Sequence, residues 1–265
     1  MIIDAHTHVF PDKIADRSIE VLENTGKQKA VIGGKVSDLL KSMEESGVNK
    51  SIVLPVLTKP EHFESVNRFS AKLNESGKLI AFAGIHPLCE NINKLLDFIA
   101  ESGFKGVKLH PDYQGTDITD EGYVKIIEGC RKRGLIVMIH AGPDPAYPEH
   151  IHCPLEGSAE VVKELTKDKP FIVLAHFGGI KQLDAIERRL IGLPVYIDTS
   201  FALDSIQRER VCEIIKLHGY RKVLFGTDSP WRDQKEYIQI IKSLPFKETE
   251  CDAILEKNCA ELLSV

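Results

Sequence analysis

Eight short apolar runs rich in Ile, Val, Leu and Phe recur about every 25 to 35 residues, separated by longer segments of helical spacing. They cover 2–9, 51–57, 79–86, 106–110, 135–140, 171–176, 195–200 and 223–225. Continuous apolar runs mark strands buried on both faces, as in parallel sheets covered by helices. A strand and helix alternation repeated eight times closes most economically into a parallel (β/α)8 TIM barrel. This α/β fold makes residues 1–265 a single domain. The competing open, doubly wound sheet would carry a Gly-x-Gly-x-x-Gly turn after its first strand. That turn is missing here, and the Gly33-Gly34 pair lies in a loop before a helix.

Helices are expected over 36–46, 60–76, 92–102, 120–133, 155–167, 181–190, 204–218 and 234–244, with a last one over 249–263. Gly47, Gly77, Gly103, Gly134 and Gly219 follow five of them, where a left-handed residue satisfies the final carbonyls. The largest departure from minimal barrel geometry is an insertion after the first strand, 10–35. It has room for a short helix over 13–24 and is expected over the barrel mouth.

Lys plus Arg is 34 and Asp plus Glu 39, a net charge of −5 with no basic block, so the composition opposes a nucleic-acid partner. No apolar stretch approaches the roughly 20 residues that cross a bilayer, and Met1-Ile2-Ile3-Asp4 lacks the basic and apolar regions of a signal peptide. No membrane partner and a cytoplasmic location are expected. The six Cys form no Cys-x-x-Cys and no compact framework, which fits free thiols in a reducing compartment.

Polar residues gather at the C-terminal ends of the runs. His6, His8, His86, His110, His140 and His176 stand at or near those ends, and the eighth run continues into Gly226-Thr227-Asp228. In a parallel barrel these ends share one face, where barrel enzymes place their chemistry. Residues two apart on a strand share a side, so His6 and His8 are both expected to point into the mouth, with Asp4 beside them. A lone strand-end His is usually a hydrogen-bonded packing residue. Several strands ending in His or Asp beside a His-x-His pair point instead to a divalent metal. His6, His8, His140 and Asp228 would give it four contacts, or three with an open position.

The motifs extend beyond this set. They are Asp4-Ala5-His6-Thr7-His8, Gly106-Val107-Lys108-Leu109-His110-Pro111, His140-Ala141-Gly142, Ala175-His176-Phe177-Gly178-Gly179 and Phe225-Gly226-Thr227-Asp228-Ser229-Pro230-Trp231. With the closing Lys257-Asn258-Cys259-Ala260-Glu261-Leu262-Leu263, the chain resembles the amidohydrolase superfamily. Within it, the similarity is to the branch that contains aminocarboxymuconate semialdehyde decarboxylase. The resemblance implies one zinc on His6, His8, His140 and Asp228, with manganese or iron also compatible. It implies that His176 and Asp228 handle protons around a zinc-activated water. Lys108 has two readings: a cation that meets a substrate carboxylate, or a carboxylated lysine that bridges a second metal. The form Gly-Val-Lys-Leu-His-Pro resembles the mononuclear branch and favours the first. His110 and Trp231 are the further substrate-binding candidates. His150-Ile151-His152-Cys153 offers ligand types in the loop after the fifth strand, but reads more simply as a chance surface grouping.

The expected activity is hydrolysis of a small carboxylate-bearing amide, ester or lactone. Its alternative is a lyase, a decarboxylase or hydratase of an unsaturated acid on the same metal. A nuclease-type barrel would need an acidic residue on strand four, where this chain has Lys108, and a noncatalytic barrel would have no need of the full ligand set. The partner is thus a small molecule, and a homodimer is compatible with the fold.

Overall fold

The computed structural model describes residues 1–147, 149–166, 169–179 and 182–264. Its strands are β1 (Ile3–Thr7), β2 (Lys50–Val53), β3 (Leu79–Ala81), β4 (Ala83–Gly84), β5 (Gly106–Leu109), β6 (Ile136–Ile139), β7 (Ile172–Leu174), β8 (Tyr196–Asp198) and β9 (Val223–Leu224). Neighbours in chain order pair in parallel, in one group from β1 to β3 and another from β4 to β9. The join between the groups is a single stave interrupted at Phe82, whose N–H donates to the Val53 carbonyl at 2.9 Å. The last stave returns to the first. Ala5 N donates to Phe225 O at 2.7 Å, Asp228 N to His6 O at 2.8 Å and His8 N to Ser229 O at 2.7 Å. These bonds close the eight-staved barrel that the alternation predicts.

The helices are α1 (Asp12–Gly26), α2 (Val36–Ser46), α3 (Phe63–Leu73), α4 (Ile92–Glu101), α5 (Pro111–Gln114), α6 (Glu121–Arg133), α7 (Leu155–Leu165), α8 (Leu183–Arg189), α9 (Arg208–His218), α10 (Gln234–Ser243), α11 (Glu248–Asp252) and α12 (Asn258–Leu263). The expected helix ends at Lys167 and Lys181 lie outside the described residues. The local chemistry of α6 shows why the segments start and stop where they do. Asp120 accepts from Gly122 N at 2.8 Å, Arg131 to Arg133 occupy the last turn, and Gly134 leaves the helix at φ 68°. The inserted α1 is longer than the expected 13–24. The loop behind it is tied to the mouth of the barrel by Val31 N donating to Pro230 O at 2.8 Å.

Two apolar layers follow from the alternation along the strands. Ile3, Ala5, Ile52, Phe82, Met138, Val173 and Leu224 come from staves all around the barrel and form one interior cluster. Their neighbours Val53, Val107, Val137 and Ile197 face the other way and pack against helices such as α4 and α6. Cys259 and Leu263 of α12 join the interior cluster, so the closing helix packs onto it from below. The chain there is not the continuous α-helix expected over 249–263. Residues Ala253–Lys257 widen into a π turn, and Ile254 O accepts the Phe225 N–H at 3.0 Å from the end of β9. Among the described residues no helix is long and apolar enough to cross a membrane. All six cysteines are free.

Candidate metal centre

The geometry of the site starts from an irregularity in β1. Simple alternation predicts Asp4, His6 and His8 on one face, but the register with β2 breaks between Asp4 and Thr7. Such a break re-aims the side chains that follow it. Asp4, ahead of the break and between the inward Ile3 and Ala5, does not face the mouth. Its carboxylate accepts from Thr227 Oγ1 at 2.6 Å, Gln234 Nε2 at 2.8 Å, and the His6 and Thr227 amides at 3.1 Å each. His6 and His8 turn together into the barrel, against Gly226, where an added Cβ would stand 3.0 Å from the His6 Cβ.

There they meet the carboxylate at the end of the eighth stave. His6 Nε2 and His8 Nε2 are 3.2 Å apart, and Asp228 Oδ1 lies 3.4 Å from the first and 3.0 Å from the second. The partners of the opposite ring nitrogens assign the protons. His8 Nδ1 is 2.7 Å from Leu54 O and His6 Nδ1 is 2.8 Å from Asp198 Oδ2, so each Nδ1 carries the hydrogen and each Nε2 presents a lone pair. Burial, with Lys108 adding to it, lowers the His6 pKa to about 3. Three lone pairs facing one another repel, and beyond the Lys108 ammonium 3.4 Å from His6 Nε2 a divalent cation among them would relieve that repulsion. Ligand atoms about 2.0–2.2 Å from a tetrahedral zinc are roughly 3.3–3.6 Å apart, a little wider than the separations found here. The residues present thus fit a divalent metal.

His140, the fourth expected ligand, stands one ring further away. Its Nδ1 is 3.0 Å from His176 Nε2, its ring stacks on His110 at 4.1 Å, and its Nε2 faces Asp112 Oδ2 and Asp144 Oδ2, each at 3.8 Å. It reaches the trio through His176, whose ring centroid is 5.2 Å from that of His6. His176 begins a short turn with φ 57° at both it and Phe177, backbone strain of the kind that concentrates at functional sites. Ser200 holds the imidazole, with its carbonyl 3.2 Å and its hydroxyl 2.9 Å from Nδ1.

Two acids that the motif reading passed over belong to this centre. Asp198 receives His6 through Oδ2, while its Oδ1 accepts from the His176 amide at 2.9 Å, the Ser200 amide at 3.0 Å and the Ser200 hydroxyl. Burial works against its charge, yet His6 outweighs that and keeps the carboxyl at about 2. Asp144 Oδ2 lies 3.6 Å from His110 Nε2, and burial raises its carboxyl to about 6. A signal for Asp198 existed, since it is a carboxylate inside an otherwise apolar run. Asp144 sits in a loop and gave none.

The remaining candidates separate by position. Lys108 Nζ, from β5, is buried 3.4 Å from His6 Nε2, and burial lowers its pKa to about 8. His110 meets the edge of Tyr113 at 4.5 Å, and Tyr113 meets Tyr147 at 5.0 Å, so aromatic rings form one side of the site. Trp231 is half-buried in the turn after Asp228, with its N–H on Asp228 O at 2.9 Å. His86 belongs to a turn, accepting from Leu88 N at 3.1 Å.

Comparison with known proteins agrees with this architecture. No curated protein sequence matches the chain. The structure of 5-carboxyvanillate decarboxylase from Sphingomonas paucimobilis superposes with a TM-score of 0.71 at 13% identity, covering 100% of this chain and 99% of that one. A 2,6-dihydroxybenzoate decarboxylase from Rhizobium gives 0.73 at 14%, covering 99% and 98%. A candidate 2-pyrone-4,6-dicarboxylic acid hydrolase from Pseudomonas putida gives 0.67 at 19%, covering 99% and 97%. At these identities the likeness shows the fold. The family model described as amidohydrolase matches residues 83–265, more than half the chain and the stretch that carries Lys108, His140, His176 and Asp228. On that match the chain belongs to the amidohydrolase family, in its amidohydrolase-2 branch.

Proposed function

We propose that the protein is a metal-dependent hydrolase of a small amide, ester or lactone that carries a carboxylate. The observation behind this reading is the set of mutually facing lone pairs on His6, His8 and Asp228, which calls for a divalent cation, zinc being the first choice. Such a cation, when bound, supplies Lewis acidity and lets water ionise near neutral pH. The chain's own residues do the rest. Asp228, an anion at neutral pH, can accept a proton through its carboxylate. His176 Nε2 can hold or pass a proton within reach of the same space, with Ser200 fixing its ring. His140 would join the ligand set only by turning Nδ1 from His176 toward the trio, and the Asp112 and Asp144 carboxylates favour a proton on its other nitrogen. Lys108 would meet a substrate carboxylate at depth, and the rings of Tyr113 and Trp231 would wall the pocket.

Decarboxylation of an unsaturated acid uses the same residues, and two of the structural neighbours carry decarboxylase names. Hydrolysis leads because a buried ammonium paired with the substrate carboxylate stabilises the very group that decarboxylation must lose. The test is a screen of carboxylated lactones, esters, amides and unsaturated acids on the zinc-loaded protein, with proton and carbon dioxide release read in parallel. Proton release from an ester or lactone, or amine release from an amide, without carbon dioxide is expected. Carbon dioxide as the product selects the lyase, and failure to bind any divalent metal refutes both.

A further inference from the structure

A second convergence of ligand atoms lies where the loop after β6 meets the loop after β5. Asp117, His150 and His152 each present one such atom, all within 4.8 Å of one another. Asp117 Oδ1 is 3.0 Å from His150 Nε2, and the two imidazole rings meet edge to face with centroids 4.3 Å apart. His152 is held firmly. Its carbonyl accepts Ile118 N at 2.8 Å, and its amide donates to Asp112 Oδ1 at 2.9 Å. Its Nδ1 is 3.0 Å from that same oxygen, so Nδ1 carries the proton and Nε2 is a lone pair whose direction is set by a carboxylate only 2% exposed. A buried carboxylate behind the far nitrogen is the arrangement that orients metal-binding histidines.

We propose that Asp117, His150 and His152 bind a second divalent cation at the rim of the barrel, distinct from the centre on His6, His8 and Asp228. Two imidazoles and a carboxylate are ligands that zinc accepts, and exposed positions left to water make the site weaker than a buried one. The cation would tie the loop after β6 to the loop after β5. The first of these loops also carries Asp144 and Tyr147, which stand over His110 and Tyr113, so the bridge would clamp one edge of the pocket.

The test is a calorimetric zinc titration of chelator-stripped protein, run on the wild type, Asp117→Asn, His150→Gln and His8→Gln. The wild type is expected to take two equivalents in two affinity classes. Each rim variant should keep the tight class and weaken the other at least tenfold, while His8→Gln does the reverse. Backbone hydrogen exchange over 149–153 should slow on addition of the second equivalent in the wild type and not in the rim variants. A wild type that lacks the weaker class, or a weaker class unchanged in both rim variants, overturns the proposal. Unchanged exchange despite binding overturns the clamp. A missing tight class beside an intact rim class overturns the proposed function instead.

Discussion

Asp198 determines which nitrogen of His6 faces the barrel. With its carboxylate on Nδ1, the imidazole can offer only Nε2 to the space shared with His8 and Asp228. The same carboxylate also fixes the strained turn at His176 through the amide of that residue. Asp198→Asn removes the charge that favours this tautomer and should weaken zinc binding by about 10 to 100-fold, read by competition with a chelating dye. Equal affinity in the variant would show that His6 is oriented without it. His176 should behave differently, because it borders the trio and lies outside it. His176→Asn is expected to lose turnover by about a hundredfold or more while keeping zinc, measured as metal content beside kcat. A variant that retains turnover removes His176 from the chemistry. His6, His8, His176 and Asp228 could be picked out in the sequence because their residue types are rare at the ends of apolar runs. Asp198 shares that property, but its neighbours Thr199 and Ser200 make the segment look like an ordinary strand-to-turn transition.

At the scale of elements, β1 shows how a local break creates a site. Were the strand regular, Asp4 and His6 would share a face. The register shift separates the two, turning His6 inward while Asp4, between the inward Ile3 and Ala5, reaches out to Gln234 of α10, whose Oε1 accepts from Ser42 of α2 at 2.9 Å. Asp4 thereby clips the first stave to the Thr227 turn and to two covering helices. Asp4→Ala strands several buried donors and should cost at least about 2 kcal/mol, seen as a lower urea midpoint. An unchanged midpoint would mean that the clip is redundant. The elements themselves were legible because their two periods differ, and most helix and strand bounds fall within a few residues of expectation. The exceptions have tertiary causes. The break in β1 depends on its partner strand, and the π turn at Ala253–Lys257 coincides with a carbonyl that bonds the end of β9. Helix α9 begins at Arg208 instead of Asp204, and Asp204 instead accepts a bond from Tyr237 Oη at 2.5 Å.

Across the whole molecule, chemistry and stability occupy opposite ends of one barrel. The C-terminal ends of the staves hold the imidazoles and carboxylates, and the other end is packed by α12 and by the tail of α9. His218, the last residue of α9, donates from Nε2 to Val195 O at 2.9 Å just before β8, and its Nδ1 has no partner among the described residues. Burial lowers its pKa from 6.5 to about 4. Between those values the unfolded chain binds the proton that the folded one refuses, so stability rises with pH across the window. The contribution is complete above about pH 6.5 and is lost as the pH falls toward 4. At about 1.4 kcal/mol per unit it is on the order of 3 kcal/mol. His218→Gln retains a donor for the Val195 carbonyl but cannot titrate. Its deficit against the wild type at pH 7 should therefore shrink or invert by pH 4.5 in paired urea titrations, with zinc affinity at neutral pH the same in both proteins. A deficit independent of pH would show that His218 is not the group that acid charges. Changed zinc affinity would show that the two ends of the barrel are coupled.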